Sequence, residues 1–247
     1  MELKDIYYTR NNIPEQTLDV FLPDNAKGEI PVFIYFHGGG LESGKKEELL
    51  PQHFVENNVG VVSVNYRMYP DYRYPDFLWD CAAGVKWVTD NIRNYANISD
   101  IYVGGSSAGA YISMMLYFDN RYFLTYGVDI NKISGFIFNA GQPTTHYNVL
   151  RERGIDSRRC IIDEAAPLFH IEEYNNQPPM LIFCADNDMT NRYEQTLLLL
   201  GTLKHMNYPD KNIQFEYLRG HRHCDYIKDA KAFANRILEF INRNKKN

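Results

Sequence analysis

Residues 100–118 constrain this chain more than any other stretch. Ile101, Tyr102 and Val103 form a short apolar run of strand type, and Gly104-Gly105-Ser106-Ser107-Ala108-Gly109 follows directly. Beyond it Tyr111, Ile112, Met114, Met115, Leu116 and Phe118 recur at roughly helical spacing. A strand, a turn of small residues and a helix must therefore fit into one short segment. Gly105-Ser106-Ser107-Ala108-Gly109 matches G-x-S-x-G, a pattern that sets a serine on a sharp strand-to-helix turn. Small residues flank such a serine because the bend brings two backbones close together, and Ser107 takes the apex. The same five residues also suit a plain glycine-rich connector, so the rest of the chain has to supply what a reactive serine needs.

The 247 residues suffice for one large α/β domain with a substantial core, and no linker divides them. A net charge of -5 argues against a nucleic-acid partner. Met1 to Asp5 is charged and carries no apolar signal core, and the longest aliphatic run, Leu197 to Leu200, is too short to cross a bilayer. These features predict a cytoplasmic protein with no membrane partner. The four cysteines Cys81, Cys160, Cys184 and Cys224 lack paired metal spacing and read as reduced thiols. The residues leave the oligomeric state open.

Taken in order, Leu3–Tyr8 and Thr17–Leu22 read as a hairpin, with a turn through Pro23-Asp24-Asn25 and Lys27-Gly28 after it. Pro31–Phe36 and Val59–Val64 are near-continuous apolar runs of buried-strand type, with a helix expected over Lys46–Asn57. Pro75 begins a helix whose apolar positions Leu78, Cys81, Ala82, Val85, Val88 and Ile92 step by three and four. After the serine segment come a strand at Ile133–Phe138 and a stretch without clean period, Gln142–Gln177, read as a cap-like insertion at about 142–178 over the sheet edge. A strand at Met180–Cys184, a helix at Tyr193–Met206, an alternating strand through Ile213, Phe215 and Tyr217, and a closing helix at Tyr226–Ile241 complete the chain. Strands alternating with helices predict an α/β fold, mostly parallel, with helices on both faces.

A serine hydroxyl is a weak nucleophile unless a base, an orienting acid and oxyanion donors surround it. Open α/β sheets place such groups at the C-terminal ends of strands. His37-Gly38-Gly39-Gly40 stands at one such end, where a glycine run turns bare N–H groups outward, with His37 as a structural residue holding the loop. Asp186 and Asp188 follow the Met180–Cys184 strand, and Asp188, deeper in the loop, is preferred. His221 and His223 both stand where the base belongs. Their neighbours Cys224 and Asp225 raise the idea of a metal site, but ligands so close in sequence do not readily close a tetrahedral shell.

At this point the chain resembles the α/β-hydrolase superfamily, in particular its hormone-sensitive-lipase-like branch of bacterial carboxylesterases. The resemblance runs from about Leu18 to His223. It rests on His37 to Gly40, Tyr66-Arg67-Met68-Tyr69-Pro70, Asp80, Gly105 to Gly109, Asp188, and Gly220 with His223. The order serine, aspartate, histidine matches as well. The chain departs from the family at Ser106, where aspartate is frequent, at Leu41, where an aromatic is common, and at Met189 and Thr190.

The resemblance implies Ser107 as nucleophile, His223 as base and Asp188 as its orienting acid, with backbone N–H groups of Gly39, Gly40 and Ala108 as oxyanion donors. It implies hydrolysis of small, short-acyl carboxylic esters through an acyl-enzyme, with no cofactor and no metal. An amidase or peptidase on the same fold, or a silent hydrolase fold used as a binding module, are the alternatives. Tyr147 and Phe169 are candidates to wall the acyl pocket.

Overall fold

Buried strands form where large apolar residues run together and turn-formers bound them, and that pattern recurs along the sheet. The structure, a computed structural model, describes residues 1–24, 26 and 28–245. The turn expected at Asn25 and Lys27 lies outside the described residues. Strands β1 (Glu2–Tyr7) and β2 (Thr17–Phe21) form the expected antiparallel hairpin. Then come β3 (Ile30–Phe36), α1 (Gln52–Glu56), β4 (Gly60–Val64), α2 (Asp76–Asn91) and β5 (Ile98–Ser106). Helices α3 (Ala108–Phe118) and α4 (Arg121–Tyr126), strand β6 (Gly135–Asn139) and helix α5 (Tyr147–Glu152) follow. Strand β7 (Met180–Asn187), α6 (Arg192–His205), β8 (Ile213–Arg222) and α7 (Ala230–Arg243) complete the fold.

The eight strands form one sheet in the order β1-β2-β4-β3-β5-β6-β7-β8. Pairings from β4 to β8 are parallel, and β2 joins β4 antiparallel. The period of two divides each apolar run between two cores. Val32, Ile34, Phe36, Val103, Phe136 and Ile182 face one core, while Phe33, Tyr35, Tyr102, Ile137 and Phe183 face the other. The first core also takes Leu78, Ile112 and Leu199 from α2, α3 and α6, and the second takes Phe54 and Ile237 from α1 and α7. The chain is thus α/β, mostly parallel, with helices on both faces.

Strand order reverses around β3. The chain moves from β3 outward to β4, then returns to pair β5 on the other side of β3. The loops after β3 and β5 therefore part at a crevice, the position where open α/β sheets hold their ligands. Those loops carry His37–Gly40 and Ser107.

Three expectations are corrected. The helix expected over 46–57 is a 3-10 turn at Lys46–Glu48, an extended Leu49, and α1. Pro51 lacks an N–H and disfavours helical backbone at the residue before it, which interrupts the helix. The closing helix begins at Ala230 because Asp229 caps it, accepting from Ala232 N at 3.1 Å. The segment 142–178 crosses the middle of the sheet, not its edge. It reaches Gly40 through the Asn148 side chain, α3 through Tyr111 Oη to Ala165 O (2.7 Å), and α6 through Thr144 to Gln195 (2.9 Å).

Beyond β4, Asp80 on α2 is 2% exposed and accepts from Arg67 N, Nε and Nη2 at 2.8–2.9 Å and from Gln16 Nε2 at 2.6 Å. Removing one partner of a buried pair strands the other charge, at a cost of about 3–5 kcal/mol. Asp80→Ala should therefore lower the stability measured by urea unfolding by about that amount. A loss under about 1 kcal/mol would show that the pair holds nothing together.

Candidate active site

Ser107 is the hinge between β5 and α3, with φ 54 and ψ -111, a backbone state that non-glycine residues seldom adopt. Its N–H donates to Asn139 O of β6 at 2.7 Å, so the turn is tied to the next strand. The helix leaves so close to β3 that a Cβ on Gly109 would collide with the carbonyl oxygens of Phe36 and His37. That contact is the physical need for small residues after the serine.

The structure brings Ser107, His223 and Asp188 together. Ser107 Oγ lies 2.8 Å from His223 Nε2, and His223 Nδ1 lies 2.6 Å from Asp188 Oδ1. The Asp188 side chain is 1% exposed, whereas the His223 ring is 23% exposed and faces the crevice. An Nδ1–H donated to the carboxylate leaves Nε2 as an acceptor toward the serine. The other members of the two ambiguous pairs go elsewhere. Asp186 accepts the Gly220 N–H on both oxygens at 2.9 Å, and His221 pairs with Asp225 at 3.0 Å. His221 and His223 thus diverge. Among the described residues, no group of three or more His, Cys, Asp and Glu side chains is placed to hold a metal ion.

The glycine loop faces the same crevice. Gly39 has φ 101, and its carbonyl accepts from Ser43 N (3.0 Å) and Ser43 Oγ (2.9 Å). Asn148 Nδ2 donates to the Gly40 carbonyl. With both carbonyls engaged behind the loop, the N–H groups of Gly39 and Gly40 donate to no other group among the described residues. Ala108 is the first residue of α3, where a helix leaves its N–H groups without internal partners. The loop itself hangs on His37, whose ring stacks on Tyr66 at 4.3 Å and whose Nδ1 donates to Gly38 O at 2.7 Å. Tyr66 Oη donates to His37 O at 2.8 Å. His37 thus holds the loop, and it does not touch the serine.

The crevice is a cavity of about 580 Å³, lined in part by Gly39, Gly40, Ser107, Tyr147, His223 and Cys224. Tyr147 is in its wall, whereas Phe169 is 58% exposed and away from it. Cys224, beside the base, is buried enough for its thiol to be pushed up, which suits an uncharged wall and not a thiolate.

Sequence reasoning missed a set of polar groups under the serine. Tyr35 Oη donates to Glu48 Oε1 at 2.6 Å and lies 2.8 Å from Ser106 Oγ. Asn139 Nδ2 donates to Ser106 Oγ at 2.8 Å, and Tyr226 Oη donates to Asn139 Oδ1 at 2.5 Å. Arg192, 3% exposed, was missed too; its guanidinium reaches Ala140 O at 2.5 Å and Gln142 Oε1 at 3.2 Å. These residues come from six elements or loops, and no local spacing joins them.

Residues 18–124 match the BD-FAE family. Over 114 residues the chain is 34% identical to a probable isoprenylcysteine alpha-carbonyl methylesterase of Arabidopsis thaliana, 43% of this chain and 24% of that protein. It is 39% identical over 98 residues to esterase LipI of Mycobacterium tuberculosis, 38% of this chain and 30% of that protein. The chain thus spans a quarter to a third of the length of these curated relatives. Esterase B from Lactobacillus rhamnosis superposes with a TM-score of 0.78 at 15% identity, covering 98% of this chain and 85% of that one, and has also been solved inhibited by a tributyrin phosphonate. At that identity the likeness speaks for the fold alone.

The buried histidines make the loop sensitive to acid. Burial lowers His37 to about 4 and pushes His146 down as well. The unfolded chain takes these protons first, near the ordinary histidine value, so the contribution of His37 to stability is constant above about pH 6.5 and declines as pH falls until His37 itself protonates near 4. Across that window His37 should remove about 3 kcal/mol, read as falling urea midpoints. Histidine ring NMR should show His37 neutral down to about pH 4; protonation near 6.5 would contradict the packing.

The chain thus has an α/β-hydrolase fold, and over residues 18–124 it is similar to the BD-FAE family.

Proposed function

We propose that this chain is a serine carboxylesterase acting on small, short-acyl esters. The observation that carries the reading is the unbroken line from Ser107 Oγ to His223 Nε2 and from His223 Nδ1 to Asp188, at 2.8 and 2.6 Å. Ser107 Oγ attacks the ester carbonyl carbon while His223 Nε2 takes its proton. Asp188, buried against Nδ1, stabilises the imidazolium that forms. The carbonyl oxygen becomes an oxyanion and moves toward the N–H groups of Gly39, Gly40 and Ala108. The tetrahedral intermediate collapses, His223 returns the proton to the leaving alcohol, and an acyl-Ser107 remains. Water, activated by the same base, then releases the carboxylic acid and restores the serine.

The esterase names among the relatives support hydrolysis of an ester, and the phosphonate complex of esterase B supports a serine nucleophile on this fold. We read residues 142–178 as a cap on a single domain spanning 1–247. Its contribution to the crevice is small: Tyr147, whose hydroxyl closes on Gly40, comes from it. A cover of that size favours soluble, short-chain substrates. Among the described residues no helix is long and apolar enough to cross a membrane.

A fluorophosphonate probe should label Ser107 and not Ser106, as read by peptide mass spectrometry. His223→Ala should lower kcat/KM by at least about 10³-fold, while His221→Ala costs less than about tenfold. Reversal of that order would move the base to His221. Activity should persist in EDTA.

Across p-nitrophenyl esters, kcat/KM should rise from acetate toward about butyrate and fall beyond about octanoate, since each methylene that fits contributes about 1 kcal/mol. A steady rise to palmitate would refute the short-acyl reading. Matched anilides should be turned over far more slowly than the esters; parity would favour an amidase.

A further inference from the structure

A second cavity of about 440 Å³ adjoins the crevice, and the two share Tyr147 and Met189 in their walls. Its lining contains Arg158, Arg159 and Arg192 and no carboxylate. That is an unusual local balance in a chain whose net charge is -5.

The three arginines differ. Arg158 is tied to Asp156 at 2.6 Å at the rim. Arg192 is almost wholly buried and is held by a carbonyl and an amide oxygen, both neutral. Burial pushes its pKa down, with only partial compensation from the charge of Asp188. Arg159 is exposed and makes no ion pair among the described residues. The N-terminus of α6 also borders this cavity, through Thr190 and Asn191 just before the helix and Arg192 at its first position. No side chain caps that 14-residue helix, although Glu194 in its first turn offsets its N-terminal partial charge. The crevice itself is lined by Glu42, which is paired with Arg151, and by Glu48, which accepts from Tyr35 and Gly38. The carboxylates of the crevice are thus engaged by other groups, whereas the lining of the second cavity carries arginines alone among charged side chains.

We propose that this second cavity is an anion subsite, and that the enzyme prefers esters carrying a carboxylate at the end remote from the scissile bond. The inference rests on the esterase reading above and names its substrate class. Arg159 offers a planar, permanently charged fork to the incoming carboxylate, and the buried Arg192 deepens the positive potential behind it. The subsite serves either the acyl or the alcohol half of the ester, and the test separates the two.

The acyl arm compares mono-p-nitrophenyl glutarate with p-nitrophenyl pentanoate, and the alcohol arm compares 3-acetoxybenzoate with 3-acetoxybenzamide. In one arm, kcat/KM for the anionic ester should exceed its neutral partner by about tenfold at low ionic strength. That preference should shrink several-fold in about 0.5 M salt and in Arg159→Gln, while neutral-ester turnover changes less than about twofold. A ratio of one or less in both arms, or a preference that Arg159→Gln leaves intact, overturns the subsite.

Failure of the catalytic reading is distinguishable, because it would appear as neutral-ester turnover that survives Ser107→Ala. Should no ester be turned over at all, calorimetry of monomethyl glutarate with the Ser107→Ala protein decides. Binding that weakens several-fold in the Ser107→Ala, Arg159→Gln double variant supports the subsite, and no binding overturns it.

Discussion

A close backbone approach holds the first turn of α3 against the end of β3. At Gly109 nothing larger than hydrogen fits against the carbonyls of Phe36 and His37. This approach forces the chain to bend within a single residue, and Ser107 takes the bend with a positive φ. The cost of that backbone state, of order 1–3 kcal/mol, is offset by the core that the bend allows. Tyr111, Ile112, Met114 and Met115 of α3 are all buried on the sheet. The bend also places the Ser107 side chain and the Ala108 N–H beside the loop after β3. The nucleophile, the donors and the packing of the central helix are thus consequences of one contact, and loosening it would disturb all three.

How much of this was legible in the sequence depended on how local the determinant is. Long apolar runs with turn-formers at both ends identified the central strands, because such runs have few other stable environments. The elbow was legible for the same reason: its small residues answer a contact made within a few positions. The helix at 46–57 was misread because its composition suits a helix while Pro51 does not permit one. Depth in the loop favoured Asp188 over Asp186, whereas His221 and His223 could not be separated from the residues themselves. What separates them is the pairing of β7 with β8. That ladder shifts register between Ala185 and Asn187, and Asn187 then stands opposite Arg222. Asp186 is thereby directed to the Gly220 N–H, and Asp188 emerges one turn of the pleat later, facing His223. A slip of one residue would turn both carboxylates to the other face and a slip of two would put Asp186 in the place of Asp188, and nothing local in the sequence encodes the register.

The polar chain beneath Ser107 was the least legible part, and it accounts for a departure from the family pattern. The resemblance leads one to expect aspartate before the nucleophile, and this chain has Ser106 there. A serine there brings no charge, but it relays one. Tyr226 donates to Asn139, Asn139 to Ser106, and Tyr35 to Glu48. Because the single Tyr35 proton is committed to Glu48, Ser106 must donate to Tyr35 across their 2.8 Å contact. The carboxylate that ends this chain of hydrogen bonds is Glu48, at the wall of the crevice. From that position Glu48 also accepts the Gly38 N–H, at 3.0 and 3.1 Å. Gly38 is thereby occupied, and of the three glycines only Gly39 and Gly40 keep N–H groups free to face the crevice. Ser106 and the 3-10 turn that carries Glu48 therefore meet through Tyr35. An unbroken helix over 46–57 would fix the course of the chain around Glu48, whereas the short turn ending at Glu48 lets its carboxylate reach both Tyr35 and the glycine loop.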